Sequence, residues 1–163
     1  MPLIGIVAKK KDTYAIRKEL SKNSIEIIQI TKDSIDNIKN IQFEEIIFLE
    51  DINLNDKEYK YMSEIISKTK YLILNGDIQI NLLKEMKIEK PIKVITFGFN
   101  SKATITISSV KEDKIIVCLQ RDIERYDKKI IEIQEKEIKM DNESNKKIYN
   151  KLVVFIIKEL HNL

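Results

Sequence analysis

Leu3-Ile4-Gly5-Ile6-Val7-Ala8-Lys9-Lys10-Lys11-Asp12-Thr13 is the stretch on which the fold turns. Its first six residues are apolar and mostly branched, as in a buried strand, and residues 12–22 then follow with apolar side chains at helical spacing. A strand running straight into a helix begins a βαβ unit. The turn between them is where an open parallel sheet receives ligands, because helix N-termini attract anions. A phosphate-binding turn would carry glycines that let backbone N–H groups approach the phosphate, then a lysine and a hydroxyl. Residues 8–13 contain no glycine, and Asp12 sets a negative charge where the phosphate would lie.

The strand-helix alternation continues. Strands are predicted at 24–30, 44–49, 71–74 and 92–97, and helices at 33–40, 56–68 (capped by Asp56) and 77–86 (capped by Asp77). The third strand is almost continuously apolar, which implies burial on both faces. Parallel neighbours need crossovers, and crossovers are right-handed, so five such strands imply a mainly parallel, Rossmann-like α/β sheet with helices on both faces. The pattern changes after Gly98. Residues 103–110 and 114–120 read as an antiparallel hairpin turning at Lys111-Glu112-Asp113, residues 130–140 as a further strand, and residues 144–160 as a helix. The run Leu152-Val153-Val154-Phe155-Ile156-Ile157 is too apolar for a surface helix and is expected to pack against the sheet.

The 163 residues form one domain in this reading, and 43% hydrophobic composition suffices for its core. Basic and acidic residues nearly balance, 29 against 26, and the net charge of +3 creates no field that calls for nucleic acid or a membrane surface. No apolar run approaches the roughly 20 residues of a membrane span, and Lys9 arrives before a signal-peptide core could form. The single cysteine, Cys118, lies in an apolar run and is expected to be a core thiol, so the chain reads as cytoplasmic.

Catalytic constellations are scarce. His161 is the only histidine, which rules out a histidine triad or a multi-histidine metal site, and its place near the C-terminus suggests a frayed end without function. The carboxylates fall at solvated surface spacing, and no cofactor is implied.

Four segments resemble, in order, the central ATP-binding domain of the Mur ligases of peptidoglycan synthesis: Leu3-Ile4-Gly5-Ile6-Val7 with Thr13, Leu72-Ile73-Leu74-Asn75-Gly76-Asp77, Ile95-Thr96-Phe97-Gly98, and Ile148-Tyr149-Asn150-Lys151-Leu152. The resemblance implies the same fold, with Thr13 in the loop position and Asn150 near the place of the nucleotide. It also argues against the activity. Ala8 and Lys11 stand in place of loop glycines and Asp12 in place of the phosphate-binding lysine, Glu50-Asp51-Ile52-Asn53-Leu54-Asn55 lacks the family's histidine, and the family's flanking domains are expected to be absent.

The expected function is therefore that of a bacterial pseudoenzyme, a non-catalytic Mur-ligase-like domain acting through a protein partner or a second copy. The resemblance adds cell-envelope control. The alternative is a small-ligand or nucleotide sensor using the crevice at the strand ends; a response-regulator-like switch lacks the acidic cluster it would need after Val7. Parallel topology is expected to gather Lys9, Lys10, Lys11, Asp51, Asn75, Asp77, Gly98 and Asn100 on one edge. The plainer reading is that Asn75 and Asp77 cap a helix, Gly98 permits a tight exit and the lysines are solvated.

Overall fold

The computed structural model describes residues 1–86, 90–140 and 147–163. Strands β1 (Leu3–Val7), β2 (Glu26–Gln29), β3 (Glu45–Phe48), β4 (Tyr71–Asn75) and β5 (Lys93–Gly98) are parallel, as expected, and pair in the order β2-β1-β3-β4-β5. This is the flavodoxin-like arrangement of doubly wound sheets. Alternate residues of each strand face opposite layers. Ile4, Ile6, Ile47, Ile73, Ile95 and Phe97 meet helices α1 (Lys10–Glu19) and α5 (Ile148–His161), whereas Ile46, Phe48 and Leu72 meet α2 (Ile35–Ile38), α3 (Asp56–Ser67) and α4 (Leu82–Glu85). Gly5 is required by this packing, since a Cβ there would come within 2.6 Å of Ile30 Cδ1 and 2.7 Å of Ile46 Cδ1.

Beyond β5 the sheet continues through β6 (Ile105–Val110), β7 (Lys114–Leu119) and β10 (Gln134–Lys139). The hairpin β6-β7 is antiparallel, with a bulge between Ile107 and Ser109. Strand β6 itself lies parallel to β5 despite the short loop between them. It can do so because the two overlap only at Phe97↔Ile105 and Gly98↔Thr106, so the chain need not travel back along β5.

Several boundaries depart from the expectations. Helix α3 is capped by Asn55, whose Oδ1 accepts from Glu58 N while Asn55 N donates to Glu58 Oε2, both at 2.9 Å; Asp56 is the first helical residue. The helix expected from Asp77 shrinks to α4, because Asp77 binds other backbone groups and is unavailable as a cap. The strand expected at 130–140 is two strands: β9 (Ile130–Ile131) pairs with β8 (Ile123–Glu124) in a separate ribbon, and β10 pairs with β7. Asp122 Oδ1 takes the Ile133 N–H at 3.2 Å where the chain changes partners. Cys118 is only partly buried, because alternation turns Val117 and Leu119 inward and Cys118 to the other face. Helix α5 is lined by buried side chains from Ile148 to Leu160, as its apolar run predicts; residues 144–146 of the helix expectation lie outside the described residues.

Candidate functional site at the strand ends

The parallel register sets Val7, Phe48, Leu74 and Thr96 side by side, so the turns that follow them share one edge of the sheet. Helix α5 lies on the α1 face, and its first turn reaches that edge. Asn150 and Tyr149 arrive there from the far end of the sequence.

At the first turn, the Lys9 carbonyl accepts from Asp12 N and Thr13 N, both at 3.0 Å, and from Thr13 Oγ1 at 3.3 Å. Thr13 is buried and its hydroxyl donates to the Lys9 carbonyl at the start of its own helix. Asp12 Oδ1 accepts from Asn150 Nδ2 at 3.0 Å. The acidic residue of the first strand-helix turn is thus engaged by an asparagine from the first turn of α5. Lys9 Nζ lies 3.4 Å from Glu50 Oε1, while Lys10 and Lys11 are exposed.

The second cluster centres on Asp77. Its carboxylate accepts from Phe99 N at 2.7 Å, Asn100 N at 2.8 Å and the Tyr149 hydroxyl at 2.7 Å. Desolvation, with Asp77 adding to it, pushes the Tyr149 phenol up to about 12, so it remains a donor at neutral pH. Gly98 makes the clamp possible. Its φ of 144° is unfavourable for a side chain, and a Cβ would meet Asp77 Oδ2 at 2.5 Å. Asn75 is buried, donating to Leu49 O at 3.3 Å and accepting from Asp77 N at 3.0 Å, so it ties β3 to β4 and is not a free recognition group. Asn100 Nδ2 reaches Gly76 O at 3.4 Å, and Asp51 accepts from Asn81 N at 3.1 Å and Asn81 Nδ2 at 2.8 Å.

All the expected residues therefore lie at one edge, but Asp12, Thr13, Asn75, Asp77 and Asn150 engage one another, Tyr149 or the backbone. Such an arrangement holds loops in place. Among the described residues no group of three or more His, Cys, Asp or Glu side chains is placed to hold a metal. Among those residues, too, no helix is long and apolar enough to cross a membrane.

The reading of the sequence missed the aromatic part of this edge. Phe99 is 50% exposed with its ring perpendicular to that of Tyr149 at 6.0 Å, and Ile78 beside Asp77 is 39% exposed. The available signal was a phenylalanine directly after Gly98, in a turn too polar to bury it. The chain matches no protein-family model, and no curated protein aligns with it.

Proposed function

We propose that this domain is non-catalytic and acts by binding a protein partner at the rim formed by the C-terminal ends of its parallel strands. The observation that carries the reading is the exposure of Phe99, whose N–H is held by the Asp77 carboxylate, and of Ile78 next to Asp77, at the same edge as Lys10 and Lys11. Exposed aromatic groups on rigid supports suit protein recognition, whereas a small polar ligand would find the carboxylates and amides of this edge already engaged. The proposal extends to a pseudoenzyme relationship with the Mur ligase central domain and a cytoplasmic role in bacterial envelope control; the four sequence segments named above support it.

A photo-crosslinking residue placed at Phe99, and separately at Val94, tests the assignment in the native cell. The expected result is one cross-linked protein from position 99, diminished by Lys10→Glu, and none from position 94. Equal cross-linking from both positions overturns the rim assignment. Magnesium-ATP binding by calorimetry would transfer the case to a nucleotide sensor.

A further inference from the structure

At the opposite, N-terminal edge of the sheet, Glu45 is 0% exposed, although it is the first residue of a strand. Its Oε1 lies 2.6 Å from His161 Nε2 at the end of α5, and the His161 side chain is 9% exposed. The imidazole stacks on Tyr126 at 4.5 Å, and Tyr126 in turn meets the edge of Tyr71 at 5.3 Å. The Tyr126 hydroxyl faces the Glu45 carboxyl, but its one hydrogen goes to the Glu44 carbonyl at 3.1 Å. Glu45 Oε2 is consequently buried without a donor.

Tyr126 belongs to the turn of the β8-β9 ribbon, which covers this edge. The ribbon is fastened by Tyr126 N to Leu160 O at 3.2 Å, by Arg125 to Glu159 and Asn162, and by the Tyr71 hydroxyl to the Glu124 carbonyl. One wall of a cavity of about 360 Å³ is the same turn, with Lys70 and Lys93 opposite.

The charged neighbours from every packed element are already paired: Lys70 with Glu44, Lys93 and Lys128 with Glu124, and Arg125 and Lys136 with Glu159. The Glu45–His161 pair stands apart. With one proton it is neutral overall, whichever partner holds that proton. Without it, a carboxylate is left in the interior with one oxygen lacking any donor, a costly state. Burial accordingly holds the Glu45 carboxyl above the usual carboxylate range.

We infer that Glu45 and His161 form a proton-dependent latch that closes the β8-β9 ribbon and the end of α5 over the N-terminal edge, and that loss of the shared proton releases both. The sign follows from linkage. A group whose proton is held more tightly in the closed form stabilises that form at low pH, and the stabilisation disappears as pH rises through its folded-state value. Release would widen the cavity beside Lys70 and Lys93.

Amide hydrogen exchange of residues 121–131 and 156–163, followed from the ordinary carboxylate range up to about pH 10 and corrected for intrinsic exchange, tests the latch in the full chain. Protection in the wild type should fall by up to about tenfold per pH unit, the one-proton slope, between the ordinary carboxylate range and the raised folded-state value of Glu45, and level off above it. Glu45→Gln removes the titrating carboxyl and should flatten that dependence. His161→Gln leaves that carboxyl titrating without its imidazole partner and should move the fall in protection to higher pH, which supplies the comparison if the buried variant does not fold. Constant wild-type protection across this range, or an unaltered pH dependence in the folded variants, overturns the latch.

Discussion

Asn150 Nδ2 donates to Asp12 Oδ1 at 3.0 Å, joining the first turn of α5 to the first turn of α1 across most of the chain. An acidic side chain at the strand-helix turn, which would repel a phosphate, is here an anchor for the C-terminal helix. Asn150→Ala should therefore lower stability by about 1 kcal/mol, the usual net worth of such a bond. Urea unfolding measures this, and an unchanged midpoint would show that the contact contributes nothing.

Asp12→Lys restores a basic residue to that turn but not the glycines, and it removes the acceptor for Asn150. The variant should bind magnesium-ATP no better than the wild type, which itself should show no heat of binding in titration calorimetry. Low-micromolar binding by either protein would contradict this expectation.

Gly98→Ala attacks the Asp77 clamp directly, through both its positive φ and the 2.5 Å approach to the carboxylate. A cost of about 1–3 kcal/mol is expected from the strained backbone alone. Combined with Asp77→Ala, which removes the clashing group, the penalty should be smaller than the sum of the single changes. Additivity in that double-mutant cycle would mean that the clamp is not what constrains Gly98.

Ile156, at 1% exposure, sits on the face of α5 that packs on the sheet. Ile156→Asp should cost about 3 kcal/mol or more by leaving a charge unpaired in the core. Near-normal thermal stability would be incompatible with that packing.

Global stability should also depend on pH. Because burial raises the Glu45 carboxyl, its contribution is present at low pH and is lost as pH rises through the folded-state value. Denaturation midpoints should fall as pH rises from the ordinary carboxylate range through that value in the wild type, and fall less steeply in Glu45→Gln. His161→Ala should cost about 3 kcal/mol where the pair is intact, since it strands a buried partner.

The alternation of apolar strands with amphipathic helices was enough to determine the parallel sheet, the hairpin after Gly98 and the burial of α5, because each depends on periodicity within a few neighbouring residues. Local pattern also located the rim, since strand ends in a parallel sheet must share an edge. The parts it misplaced depend on competition between distant groups. Asp77 has the composition of a helix cap, but the backbone N–H groups of Phe99 and Asn100 claim its carboxylate, so α4 starts late. Residues 130–140 have the composition of one strand, yet they divide between β8 and β7 as partners. His161 looks like part of a frayed terminus, and only the packed α5 brings it to Glu45, which itself looks like an ordinary strand-end charge beside Ile46 and Ile47. Burial and pairing at such places are properties of the assembled layers. For the Glu45–His161 and Asp12–Asn150 pairs the partner lies more than a hundred residues away in the chain but within hydrogen-bond distance in space.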